Sequence, residues 1–421
     1  MNPHLIRNLY YTTLAIYTCV EVVLVKLNLL SAKVTPDDLP ESIATAHNIE
    51  HHDKTYLYTQ AKSNISIVGT VLSSIIIFSF IHFGLFGLFD EYLRNEIENF
   101  YLRGVLFIFG ISAIMSILQL PLELYHTFVI EERFGFNKTT VKLWLIDTLK
   151  GLILSAILLT PLLLALLYFI ESFPIYWWFY GFILVASFQI VLLLIFPSVI
   201  APLFNKFEKL KSEELSDDIN KLAAKLDFET SGIFQMDGSK RSSHGNAYFS
   251  GFGKGRRIVL FDTLIDSLSS TELCSVLAHE IGHAKKHHVT KSIVLSLVLL
   301  LIAFYGASLL VNSVNFFNAF GIQKPSSYSL LILMSVAFEP FLFFISPIMA
   351  VNSRKNEYEA DRYAVDAMNN SIDLEQALVK LSNKSLSNLN PHPLYSFFHY
   401  SHPTLIERIQ AMNRYANSKN L

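Results

Sequence analysis

The residues of this chain best suited to chemistry are His279, Glu280 and His283, in the run Leu277-Ala278-His279-Glu280-Ile281-Gly282-His283. Two histidines four apart on a helix lie about 40° apart around its axis and about 6 Å apart along it, so both imidazoles reach one ion. Catalytic zinc takes three protein ligands and keeps a fourth position for water. Glu280, between the histidines, is then a base for that water. A pentapeptide of this kind also occurs on ordinary amphipathic helices. The surrounding elements must therefore supply a third ligand and a path for substrate.

Ser269 or Ser270 reads as the cap of the helix carrying the motif, with Glu272 in its first turn. His287 shares a face with His279 and His283. It lies about 9 Å along the axis from their midpoint, too far for a shared ion on a straight helix. His287 and His288 read as membrane-interface residues, so the third ligand must come from another element.

The composition is that of a membrane protein. Of 421 residues, 52% are hydrophobic and only 16% charged, against roughly a quarter in soluble domains; the mean hydropathy is +0.40. A net charge of −2 gives no support for a nucleic-acid partner. The two cysteines, Cys19 and Cys274, form no disulfide framework. No short signal peptide is evident, and the first apolar segment reads as an anchor.

Seven stretches approach or exceed the roughly 18–20 residues that span a bilayer: 5–30, 65–89, 102–124, 149–170, 176–200, 292–314 and 330–351. Glu21 and Lys26 interrupt the first. Glu21 reads either as a functional intramembrane acid or as a residue beyond a misplaced boundary. Gln119 and Gln189 read as interhelical hydrogen-bonding residues, and Glu339, before Pro340, as facing a wet interior from a kinked helix. The third connection carries Arg133, Lys138, Lys142 and Lys150, whereas the fourth has no Lys or Arg and the sixth only Lys324. Basic loops stay inside. The N-terminus is thus expected outside or lumenal, and the long fifth connection and the C-terminus on the cytoplasmic side.

Four portions follow: 1–200 with five spans, a soluble 201–290 with the motif, a hairpin of spans over 291–351, and a soluble 352–421. The portion 201–290 holds twelve Lys+Arg and twelve Asp+Glu. Residues 213–228 have an amphipathic helical pattern; 232–237, 246–251 and 257–261 read as short strands between Gly- and Ser-rich turns. The hairpin carries the chain away from the motif and back, delivering Asn352-Ser353-Arg354-Lys355-Asn356-Glu357-Tyr358-Glu359-Ala360-Asp361-Arg362 to the same membrane face. Glu357 and Asp361 share a helix face. One can ligate zinc while the other accepts the spare N–H of a ligating histidine; Glu359, about 200° around, faces away.

These pieces resemble the type I CAAX prenyl protease family of integral-membrane zinc peptidases. The resemblance runs through residues 128–137, Arg241-Ser242-Ser243-His244-Gly245-Asn246-Ala247-Tyr248-Phe249-Ser250-Gly251, residues 257–264, His279–His283, residues 353–361 and Ser401-His402-Pro403-Thr404-Leu405-Ile406-Glu407-Arg408. Ala284 stands where tryptophan is frequent in the family, and His287 where glycine is. The resemblance implies a mainly α fold in which seven transmembrane helices enclose a chamber, joined to a cytoplasmic α+β zinc-peptidase portion. It implies one Zn2+ per chain on His279, His283 and Glu357, with Asp361 behind a ligand and Glu280 as general base. His402 is its candidate oxyanion donor and Arg408 a substrate contact nearby. Asn246, Ala247 and Tyr248 would pair with an extended peptide as an added strand.

The expected activity is endopeptidase cleavage near the C-terminus of prenylated or other membrane-associated proteins, in the endoplasmic reticulum membrane of a eukaryote or the inner membrane of a bacterium. A quality-control membrane protease is the second reading; its shorter relatives have fewer spans. A transporter with an incidental motif is the third, against which stands the lack of an internal repeat.

Overall fold

Seven helices are long and apolar enough to cross a membrane, matching the expected number. The computed structural model describes residues 2–33, 49–250 and 256–421. The spanning helices are α1 (Pro3–Ser31), α2 (Ile49–His82), α4 (Phe100–Tyr125), α5 (Val141–Ser172), α6 (Trp177–Ile195), α9 (His288–Leu310) and α11 (Ser327–Met368). Short connecting helices α3 (Leu85–Glu96) and α10 (Val314–Ala319) cover one end. Each span touches the next around a closed ring, in the order α1, α2, α4, α5, α6, α9, α11 and back to α1.

The ring is packed shut where α11 begins. Tyr328, fully buried, donates to Asp90 of α3 at 2.6 Å and stacks among Phe100 and Phe107 of α4. Ser327 donates to Glu171 at the end of α5. Burial around the ring is uneven: 39% of the most apolar window of α11 and 28% of that of α1, but only 6% of that of α9. Lipid satisfies apolar side chains that no protein covers. Gln189 of α6 donates to Ser296 of α9 at 3.3 Å, the interhelical bond expected of it. Glu21 is not at a misplaced boundary. It lies inside continuous α1, buried, with its carboxylate 3.2 Å from His399. A polar partner, the His399 imidazole, accompanies this acid in an apolar helix.

Helix α11 has 42 residues, about 63 Å at 1.5 Å per residue. That is about twice the hydrocarbon thickness of a bilayer, so its second half stands outside. It runs without a break through residue 351 and carries Glu357 and Asp361 in the same rigid element.

The other soluble elements gather on that projecting half. They are α7 (Glu213–Lys225), α8 (Ser270–Lys285), α12 (Ile372–Lys384), α13 (Pro393–His399) and α14 (Leu405–Lys419), with a four-stranded sheet. The sheet order is β1-β2-β4-β3: β1 (Phe207–Lys209) is antiparallel to β2 (Gly232–Met236), β2 parallel to β4 (Arg257–Phe261), and β4 antiparallel to β3 (Ala247–Ser250). The sequence pattern indicated β2, β3 and β4; β1, three residues long, is too short to carry one. Gly251, the expected end of β3, lies outside the described residues. One apolar core joins sheet and helices through Leu260, Leu277, Ala278, Val365, Ala377 and Met412.

Candidate active site

Helix α8 begins with a full capping box. Ser269 accepts from the Glu272 backbone N–H, and the Glu272 carboxylate accepts from that of Ser269. Two orphan donors of the first turn are thereby satisfied. The buried Glu272 also takes Lys380 of α12 at 2.6 Å. Leu273, Leu277, Ala278 and Ile281 are buried at helical spacing and fix the rotation of the helix. That rotation turns His279, Glu280 and His283 into a cavity of about 400 Å³, which Asn246, Ala247, Glu357, His402 and Arg408 also line.

Gly282 sets how closely α8 approaches α11. A Cβ added there would lie 3.2 Å from Ala360 Cα and 3.1 Å from Tyr363 Cβ. This close contact brings Glu357 against both histidines. His279 Nε2 and His283 Nε2 are 3.1 Å apart; Glu357 Oε2 is 3.5 Å from the first and Glu357 Oε1 3.3 Å from the second. Ligand atoms around a tetrahedral zinc, with bonds of about 2.0–2.1 Å, lie about 3.3–3.4 Å apart. Glu357 Oε2 is buried and accepts no hydrogen bond, an acceptor that a cation would satisfy. The three residues form one group whose ligand atoms converge, so two imidazoles and a carboxylate fit a zinc site with an open position.

Asp361, one turn beyond Glu357, accepts from His279 Nδ1 at 2.8 Å, leaving His279 Nε2 for the ion. Burial disfavours an imidazolium at His279, but Asp361 and Glu357 outweigh it, and its pKa is pushed up to about 9. Arg408 of α14 binds Asp361 in bidentate fashion, Nε to Oδ2 at 2.9 Å and Nη2 to Oδ1 at 2.6 Å. Its guanidinium is engaged by the carboxylate behind His279 as well as bordering the cavity. His402 is mostly exposed, with Nδ1 3.0 Å from Ser401 Oγ and Nε2 3.5 Å from Glu357 Oε1.

Strand β3 is an edge of the sheet. Asn246, just before the strand, and Ala247 border the cavity; Tyr248, next after Ala247, does not, since successive strand residues point to opposite faces. Ala247 joins the core and Tyr248 packs toward Phe261.

His288, the first residue of the spanning helix α9, is buried rather than exposed. Its ring is 3% exposed, with Nδ1 3.0 Å from His283 Nδ1 and Nε2 3.2 Å from Glu359 Oε2. Glu359 does not join the three converging ligand atoms, and its carboxylate meets His288 instead. The reason is a break between helices: α8 ends at Lys285, and His287 takes a left-handed backbone, φ +57°, before α9 begins. No local signal marks this turn, since a histidine stands where a glycine would have announced it.

Residues 28–206 match the family described as CAAX prenyl protease N-terminal, five membrane helices, and residues 209–416 match peptidase family M48. A CAAX prenyl protease 1 homolog of Arabidopsis thaliana is 37% identical over 89% of this chain and 90% of its own length. CAAX prenyl protease 1 of Saccharomyces cerevisiae is 35% identical over 92% of this chain and 91% of its own. A CAAX prenyl protease 1 homolog of Homo sapiens is 31% identical over 90% and 89%. The crystal structure of S. mikatae Ste24p superposes with a TM-score of 0.90 at 33% identity, covering 97% of this chain and 99% of that one.

Proposed function

The chain belongs to the CAAX prenyl protease 1 (Ste24) family of M48 metallopeptidases, and from that premise we propose how its residues divide the work and which substrates they serve. It is an integral-membrane zinc metalloprotease of the CAAX prenyl protease type with a His279, His283 and Glu357 site. These three side chains would hold one Zn2+ per chain. When bound it supplies a Lewis acid that acidifies water and polarises the scissile carbonyl.

Glu280, bordering the same cavity, takes the proton of the attacking water and passes it to the leaving nitrogen. The C–N bond breaks, leaving a carboxylate on one product and an amine on the other. His402 Nε2 donates to the oxyanion as charge builds on the carbonyl oxygen. Asp361 orients His279, and Arg408 keeps Asp361 ionised and in place. An extended substrate adds to β3 beside Asn246 and Ala247, with Tyr248 pairing through its backbone.

The substrates are proteins with a prenylated C-terminus, reached from the bilayer through the ring of spans. The zinc site lies on the cytoplasmic side and the N-terminus outside or lumenal, supported by the basic third connection. The endoplasmic reticulum in a eukaryote, or the inner membrane in a bacterium, is the host. The observation that carries this reading is the triangle of ligand atoms with Glu280 in the same cavity, at one end of a ring of membrane helices. Purified full-length protein should contain zinc and cleave a farnesylated C-terminal peptide, losing activity with chelator. Equal cleavage of the unprenylated peptide would instead favour general proteolysis of membrane proteins.

A further inference from the structure

We infer that His288 and Glu359 are positioning residues for the zinc site, holding His283 through a two-step hydrogen-bonded relay while Asp361 holds His279 directly. The inference rests on the zinc-peptidase reading. His283 turns Nε2 toward His279 Nε2 at 3.1 Å and Glu357 Oε1 at 3.3 Å, so its Nδ1 carries the hydrogen. That Nδ1–H meets His288 Nδ1 at 3.0 Å, which must then accept, and the remaining His288 Nε2–H donates to Glu359 Oε2 at 3.2 Å. One tautomer of each ring satisfies every partner.

This contact does not belong to a continuous helix. Residues five apart lie about 140° apart around a helix and cannot meet. The left-handed backbone of His287 swings the first residue of α9 back over the last turn of α8, and the ring of His288 is buried there. Glu359 then reaches it from α11. Helix α11 thus serves the site three times in alternate residues: Glu357 to the ion, Asp361 to His279, and Glu359 through His288 to His283. The two histidines are unequally held. His279 has a buried carboxylate paired with Arg408, whereas His283 has an imidazole relayed to a carboxylate about one-third exposed.

The test uses the detergent-solubilised full chain, with zinc affinity measured by chelator competition and the visible spectrum of the Co2+-substituted protein. His288→Ala should weaken zinc binding by about 10–100-fold, the usual consequence of removing the partner of a ligating histidine, and should alter the Co2+ bands. Glu359→Gln should weaken it less, and His288→Gln, which keeps an acceptor near His283, should recover part of the loss. Zinc affinity of His288→Ala within about two-fold of the parent, with unchanged bands, overturns the inference. Should His288→Ala fail to fold, parent-like affinity in both His288→Gln and Glu359→Gln overturns it equally. A parent chain that binds no zinc overturns the zinc-peptidase reading itself, and this inference with it.

Discussion

The ring of spans and the soluble body are held together in different ways. On α9, Val294, Val298 and Ile302 are exposed to their surroundings, and Gln189–Ser296 is a polar tie across the ring. In the body, Leu277, Ala278 and Val365 are buried, and charges are paired: Glu272 with Lys380, Asp361 with Arg408. Lipid is as apolar as the side chains it touches, so burial between spans contributes little. Water drives the body together, and close packing there fixes positions to fractions of an ångström. A metal site with ligand atoms 3.1–3.5 Å apart therefore belongs to the body. Substitutions in the body should cost function steeply and those in the ring weakly.

The largest break in that contrast is Glu280→Gln. Turnover should fall by about 10²–10⁴-fold, the contribution of a general base, with zinc content unchanged by metal analysis; loss of metal would make Glu280 a ligand. His402→Ala should come next, lowering kcat by about 10²–10³-fold with KM and zinc content nearly constant, as for one oxyanion donor. Unimpaired kcat would remove His402 from the chemistry.

Asp361→Asn sharpens the comparison within the site. Zinc affinity should fall by about 10–100-fold. Its pH dependence should change as well. In the parent, zinc must displace the proton of His279, held to a pKa of about 9, so affinity climbs as pH rises toward that value. Without the Asp361 charge the proton is held less tightly, and the climb should end at lower pH. An identical pH profile would contradict the pairing of Asp361 with His279.

Glu272 tests stability rather than chemistry. Burial pushes its carboxyl up, but Lys380 and Ser269 outweigh this and hold it below the ordinary carboxylate value. A depressed folded value means its contribution is present above the ordinary range and lost as pH falls through the lower one. Glu272→Gln keeps the capping box but loses the charge facing the half-exposed Lys380; it should cost about 1 kcal/mol at neutral pH, the upper end for a solvent-exposed pair, and thermal melts should show a shallower decline in acid. The smallest effect is expected in the ring: Gln189→Leu should cost about 0.6 kcal/mol, the mean for such interhelical bonds, and leave turnover unchanged. A large loss of activity there would mean that the ring, too, positions the site.

The primary sequence by itself determined the two histidines with the glutamate between them, the seven spans and three of the four strands. Each is written in local spacing or in runs of composition, which need no partner to be read. Spacing narrowed the third ligand to Glu357 or Asp361 and stopped there, because residues four apart share a helix face; only the family resemblance singled out Glu357. Tertiary structure decided between them. The close approach of Gly282 to Ala360 sets the register of α8 against α11, so that Glu357 meets the two Nε2 atoms and Asp361, one turn on, meets His279 Nδ1. The roles of His288 and Glu359 were hidden for a related reason. A single left-handed residue at His287 reverses which side chains meet, and helix periodicity cannot register a turn made by a residue that ordinarily continues a helix.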